Sequence, residues 1–168
     1  MWAALEAASG EPVGDIMSGW IYQGGYPQID VQPAGDHYRL EQRHFRFLGG
    51  GEGKWQVPAL YRSGSDEGRV IVGDEAVELP AGDEFLLNSG GDGFYRINYP
   101  AAALSQLAEG FGELEPAERY TLIADSWANV LAGETQAADF VDLVGALDGE
   151  EEPDVWGVAL TGLAELNR

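Results

Sequence analysis

The chain reads as an α+β protein with the β part first: an antiparallel β-sandwich of about seven strands, followed by an α-helical, solenoid-like segment. Three observations predict this. Between residues 20 and 100, β-branched and aromatic residues alternate with polar ones between glycine-rich turns. Beyond Pro100 the apolar residues take up helical spacing. The helix starts then recur about every 20 residues with short loops, as in stacked antiparallel helices.

The opening is helical in texture. Trp2, Leu5 and their alanines form one run, broken at Ser9-Gly10-Glu11-Pro12. A short second turn passes through Val13, Ile16 and Met17, with Gly19 ending it. Trp20 to Gln23 reads as a short strand, and Gln28 to Gln32 as another that alternates Ile29 and Val31 with polar neighbours. From Asp36 to Leu48, Tyr38 and Leu40 share one parity while Phe45 and Phe47 share the other. One regular strand cannot bury both pairs on one face, so a bulge or bend is predicted between Glu41 and His44.

Gly49 to Gly53 is a glycine-rich connector. Trp55, Val57, Ala59 and Tyr61 then alternate, and Pro58 demands an edge position or an outward N–H side. Arg69 to Leu79 reads as a hairpin turning near Gly73-Asp74. Phe85 to Asn88 and Phe94 to Tyr99 read as a last strand pair around Ser89 to Gly93. Helices follow at Ala101 to Glu109, from Glu115-Pro116 to Gly133, after a Thr135 cap, and from Glu152-Pro153 with Trp156, Ala159, Leu160 and Leu163 on one stripe. Helices in such a row expose an apolar face that wants a further layer, and the sequence looks interrupted at both ends.

Composition narrows the chemistry. The 168 residues are 45% apolar and 23% charged, which suits one domain or two small ones. Cysteine is absent, which excludes disulfides, thiolate metal sites and cysteine nucleophiles. The net charge of −20 opposes nucleic acid, although six of the nine cations fall between Arg39 and Arg69. The segment from Glu109 onward carries fourteen acids and two bases, Arg119 and Arg168. No run approaches the roughly 18 apolar residues of a membrane span, and no secretion signal is visible.

No catalytic constellation stands out. His37 and His44 are the only histidines, neither opens an H-E-x-x-H, and a spacing of seven puts them on opposite faces of a regular strand. The carboxylate pairs Asp66-Glu67, Asp83-Glu84 and Glu150 to Glu152 border turns and read as solvated loops. Ser89 lacks the nucleophile-elbow glycines, and no glycine-rich stretch opens a helix after a parallel strand. Trp20, Tyr22, Tyr26, Trp55 and Tyr61 fit a sandwich core better than a sugar-stacking strip, because aromatics favour half-buried pleated surfaces.

Several stretches together carry a resemblance. Leu5-Glu6-Ala7-Ala8-Ser9-Gly10-Glu11-Pro12-Val13, Met17-Ser18-Gly19-Trp20 and Gln23-Gly24-Gly25-Tyr26-Pro27 come first. Gln42-Arg43-His44-Phe45, Trp55-Gln56-Val57-Pro58, Gly93-Phe94-Tyr95-Arg96-Ile97-Asn98-Tyr99 and Arg119-Tyr120-Thr121-Leu122-Ile123-Ala124-Asp125 follow. In this order they resemble the C-terminal half of the gluzincin zinc aminopeptidases, the aminopeptidase N and puromycin-sensitive aminopeptidase family. His44, the connector at Gly49 to Gly53 and Ser126 depart from the pattern.

The resemblance implies that residues 1–19 end a catalytic domain, 20–100 form its sandwich neighbour and 101–168 begin a helical bowl. It implies that zinc, its ligands and the catalytic glutamates lie upstream, so this chain has no catalytic or metal residue and binds no cofactor itself. The implied partners are the upstream catalytic domain, the remaining C-terminal helices and the peptide substrates of the parent, with neither nucleic acid nor membrane. A cytoplasmic parent is favoured. The matched residues Trp20, Tyr26, Pro27, Trp55, Pro58, Gly93, Tyr95, Arg96, Asn98, Tyr99, Arg119 and Asp125 are then structural. Gly93 is expected to take a positive φ, Arg96 to need a carboxylate, and Arg119 and Asp125 to join helix to sandwich. The alternative is a free-standing β-sandwich that binds carbohydrate or protein through its aromatics.

Overall fold

A computed structural model of the chain describes residues 1–48, 51–82 and 84–167. Gly49 and Gly50 of the connector, Asp83 of one carboxylate pair and the base Arg168 lie outside the described residues. Two helices, α1 (Trp2–Ser9) and α2 (Val13–Tyr22), precede seven strands: β1 (Pro27–Ala34), β2 (His37–His44), β3 (Val57–Ser63), β4 (Asp66–Val72), β5 (Val77–Pro80), β6 (Leu86–Leu87) and β7 (Arg96–Asn98). Four helices follow: α3 (Ala101–Glu109), α4 (Pro116–Leu131), α5 (Ala137–Val144) and α6 (Pro153–Leu166).

The strands form two sheets, ordered β5-β2-β1-β7 and β4-β3-β6. All pairings are antiparallel except β1 with β7, which is parallel. Strand alternation sends Ile29, Val31, Leu40 and Ile97 of the first sheet into the space faced by Val57, Ala59 and Val72 of the second. Trp55, Phe85 and Leu87 complete this core, each at most 2% exposed. Gln42 shares the inner face, where a polar group is costly unless bonded. Its amide donates to the carbonyls of Val72 and Gly73 and accepts from Trp55 N–H, so it clamps one sheet to the other.

Several expectations are corrected. Trp20 to Tyr22 is helical, continuing α2 through Gly19; Ile16 and Trp20, four apart, then face the sandwich together. Trp20 packs against Trp55 with ring centroids 6.1 Å apart and planes tilted by 44°, and donates its indole N–H to Gln56 O. There is no bulge in β2: its register with β1 is unbroken from His37 to His44, and the parity switch occurs because the strand stops there. Neither predicted late hairpin forms. β4 pairs with β3 while β5 pairs with β2, and β6 pairs with β3 while β7 pairs with β1. The turns are corners between sheets. Pro58 sits in the central strand of its sheet, opposite a stretch that the two-residue β6 leaves uncovered.

The helices bury a second part of the same core: Leu104, Leu107, Leu122, Ile123, Trp127, Phe140, Leu143, Val155 and Ala159. Pro116 occupies the first turn of α4, and Glu115 and Glu118 form a reciprocal capping box. Thr135 does not cap α5; Gln136 holds that position, and the Thr135 hydroxyl turns to Asn98. On α6 the buried stripe is Val155, Ala159 and Gly162, because Gly162 lets the helix approach the Phe140 ring. Trp156 and Leu160 are therefore exposed.

Candidate functional site: the joint between sandwich and helices

Helix α4 is the element through which the helical segment meets both sheets. Glu118, Asp125 and Asn129 lie on it at helical spacing and are each buried. Strand β7 is an edge, with one side of its backbone turned away from β1. That edge is closed by α4. Ile97 N–H donates to Asp125 Oδ2 at 3.0 Å, and Asn129 Nδ2 donates to Ile97 O at 2.8 Å. Two side chains one turn apart thus satisfy the groups that a further strand would have bonded. Arg96, from the same strand, donates to Asp125 Oδ1 at 2.8 Å.

Beside this contact the outer face of the first sheet is polar. Asp30 accepts from Gln28, Arg43 and Asn98, and Arg43 also lies 3.2 Å from Glu134 after the end of α4. The second sheet is reached from the start of α4. Glu118 accepts both terminal nitrogens of Arg62, at 3.0 and 3.2 Å, together with Gly90 N–H and Glu115 N–H. Gly91 makes that approach feasible: its φ is +74°, and a Cβ there would stand 2.8 Å from Ala117.

The two acids are in opposite electrostatic states. Complete burial pushes the Asp125 carboxyl up to about 7, against the opposing pull of Arg96 and Ile97 N–H. Glu118 is held below its ordinary value; its burial is outweighed by Arg62 and the Gly90 and Glu115 amides. Tyr99 performs a related closure. Its hydroxyl accepts from Leu87 N–H and donates to Leu87 O, tying the end of β7 to β6 in the other sheet, and burial raises its pKa.

The other residues singled out by sequence have mixed placements. Tyr95 is buried behind Gly93, whose φ is not positive. Its constraint is space: a Cβ would fall 2.3 Å from the Tyr95 ring and 2.6 Å from Asn88 Oδ1. Arg119 finds its hydrogen-bond partners inside the helical segment: a two-pronged pair with Glu150, and the carbonyl of Leu114. Tyr26 stacks on Phe45 at 5.4 Å, next to Pro27 at the start of β1. The aromatic strip does not assemble, because Trp55 is 2% exposed and Tyr22 projects from α2.

Glu118, Arg62, Gln28 and Asn129 were missed by sequence reasoning. The one available signal was Glu118 at the third position after Glu115-Pro116. No donor set fits zinc among the described residues: no three histidine or acidic side chains converge. His37 and His44 lie at opposite ends of β2, paired with Ala34 and Pro27 respectively. No helix there is long and apolar enough to cross a membrane.

Residues 85–168 match the family described as the ERAP1-like C-terminal domain, a stretch that includes β6 and β7 as well as α3 to α6. The Tricorn protease-interacting factor F2 of Thermoplasma acidophilum is 32% identical over 143 residues, which is 84% of this chain and 18% of that protein. The puromycin-sensitive aminopeptidase of Caenorhabditis elegans is 32% identical over 184 residues, 99% of this chain and 19% of that protein. A probable M1 family aminopeptidase 1 of Encephalitozoon cuniculi is 30% identical over 128 residues, covering 74% and 15%. The chain spans less than a fifth of the length of these relatives.

Proposed function

The chain belongs to the M1 aminopeptidase family, and from that premise we propose that it is a non-catalytic module that holds the helical bowl against the catalytic domain. On this reading residues 1–19 end the catalytic domain, 20–100 are the sandwich and 101–168 begin the bowl. The parent removes N-terminal residues from peptides, with a zinc ion bound by residues outside this chain that activates water. The observation that carries the reading is α4 itself, bonded to one sheet through Glu118 and to the other through Asp125 and Asn129. A helix fixed at both ends of a sandwich transmits orientation; one packed only through apolar surface can slide.

The test uses the full-length parent. Replacing Arg96→Met together with Asp125→Leu removes the pair without leaving a buried charge. The expected result is unchanged zinc content with a changed ratio of kcat/KM between long peptides and a single aminoacyl anilide. An unchanged ratio, in a variant whose joint has become protease-sensitive, sinks the reading. This chain by itself is expected to show neither aminopeptidase activity nor stoichiometric zinc; activity that follows it through mutation sinks the reading as well.

A further inference from the structure

Aspartate precedes glycine at two places in the chain, Asp92-Gly93 and Asp148-Gly149. Such a pair is able to cyclise, because no Cβ on the glycine bars its nitrogen from the aspartate Cγ. In a folded chain the reaction depends on how free that nitrogen is, and the structure treats the two pairs oppositely.

Gly93 is gripped by Asn88, itself 4% exposed. Its N–H donates to Asn88 Oδ1 at 2.7 Å, and its carbonyl accepts from Asn88 Nδ2 at 3.4 Å. The Tyr95 ring closes the space beside it. Gly149 has neither restraint. Its N–H has no hydrogen-bond partner among the described residues, and nothing lies within 4 Å of where its Cβ would stand. Asp148 and Gly149 are both exposed, at the centre of a turn closed by Glu150 N–H to Leu147 O at 3.1 Å. The turn is anchored on either side. Leu147 belongs to the core. The Glu150 carboxylate accepts two nitrogens of Arg119 on α4 and the N–H groups of Glu151 and Glu152 at the start of α6.

We propose that Asp148-Gly149 is a site of spontaneous isomerisation that loosens the contact between α4 and α6, and that Asp92-Gly93 is protected from the same reaction. The Gly149 nitrogen bonds to Cγ of the protonated Asp148 carboxyl, and its proton leaves with the carboxyl's hydroxyl as one water. Water then opens the cyclic imide. Breaking the new bond from nitrogen to Cγ restores aspartate. Breaking the bond from nitrogen to the Asp148 backbone carbonyl carbon routes the chain through Cβ and Cγ, frees the backbone carboxyl and leaves the mass unchanged. The second product adds a methylene between the anchors Leu147 and Glu150 and draws Glu150 off Arg119.

The experiment ages the folded 168-residue chain at mildly acidic pH, with folding checked by near-ultraviolet circular dichroism, and maps isoaspartate by electron-transfer mass spectrometry. Position 148 should convert at least about tenfold faster than position 92, because the Gly93 amide must first leave its hydrogen bond and its enclosed site. In urea, where these restraints are gone, the two rates should agree within about twofold. Asn88→Gly tolerates the φ of +61° at that position while removing the grip, and should bring position 92 up toward position 148. Brief digestion of the aged folded chain with a glutamate-specific protease should release fragments ending at Glu150 or Glu151 that are enriched in isoaspartate at position 148. Equal rates in the folded chain would overturn the proposal. So would a preference that persists in urea, a position 92 that stays inert in Asn88→Gly, or fragments no richer in isoaspartate than the intact chain. None of these outcomes touches the bonds of α4 to the two sheets, so the proposed structural role stands or falls separately.

Discussion

The two ends of α4 make the same kind of connection by opposite means. At its first turn Glu118 receives both Arg62 nitrogens and two backbone amides, so four protein donors face its charge. Two turns on, Asp125 is equally hidden but receives only one arginine nitrogen and one amide. The Glu118 carboxyl accordingly falls below its ordinary value, and that of Asp125 rises to about 7. The lesson is that burial and partnership must be weighed together. An arginine at 2.8 Å does not by itself keep a carboxylate ionised when the rest of its shell is apolar.

The largest expected effect comes from breaking the less solvated pair. Asp125→Ala at pH 8 removes the acceptor for Ile97 N–H and leaves Arg96 without its partner, which should cost about 3–5 kcal/mol in urea unfolding. Glu118→Ala should cost less, about 2 kcal/mol, because Gly90 and Glu115 are exposed and water can take over their N–H groups, whereas Ile97 is buried. If Glu118→Ala proves the more damaging, counting donors outranks burial and the comparison fails.

pH separates the two acids more finely. The folded pKa of Asp125 lies above its unfolded value of 3.8, so the folded state holds the extra proton between about pH 4 and 7. The proton-linked part of its contribution is therefore complete below pH 3.8 and is lost as pH rises through about 7, while its bonds to Arg96 and Ile97 N–H remain above that pH. Glu118 has the opposite sign: its contribution is present above its unfolded value of 4.5 and lost as pH falls through the lowered folded value. In urea titrations from pH 4 to 8, Asp125→Asn should flatten the decline toward neutrality, and Glu118→Gln should flatten the acid limb below about pH 4.5. Carbon-13 shifts of labelled aspartate should show one carboxyl titrating near pH 7. An Asp125 carboxyl that titrates below 4 would show that the arginine prevails.

Much of the architecture was legible because strand and helix impose different periods. The Trp55–Val57–Ala59 alternation and the Pro116 helix start both describe local geometry, and both appear where the pattern puts them. Partner choice was less legible. Arg69 to Leu79 has the pattern of a hairpin, but hydrophobic alternation is the same whether a strand turns back on its neighbour or crosses to the other sheet. Trp20 to Tyr22 was misread for a related reason. Three bulky residues suit a strand, and only the four-residue spacing from Ile16 reveals their helical face. The joint was half legible. Arg96 advertised a buried cation, but nothing local to Asn129 or Glu118 tells that their partners lie on other elements, 32 and 56 residues away for Ile97 and Arg62.

The smallest predicted effect tests the comparison where solvent is plentiful. Glu11, in the link between α1 and α2, pairs with Arg69 of β4 at 2.6 Å, a further acid–arginine contact joining helices to the sandwich. By distance alone it is closer than Arg62–Glu118 or Arg96–Asp125. Arg69 is 67% exposed, however, so water already solvates both partners and salt screens them. Arg69→Gln should therefore shift stability by no more than about 0.5 kcal/mol, and raising the salt concentration should shrink even that. A loss comparable to that of Glu118→Ala would mean that the pair resists solvent exchange despite its exposure. Stability at these connections would then follow contact distance, and the contrast between Glu118 and Asp125 would need a cause other than the number of groups that solvate each charge.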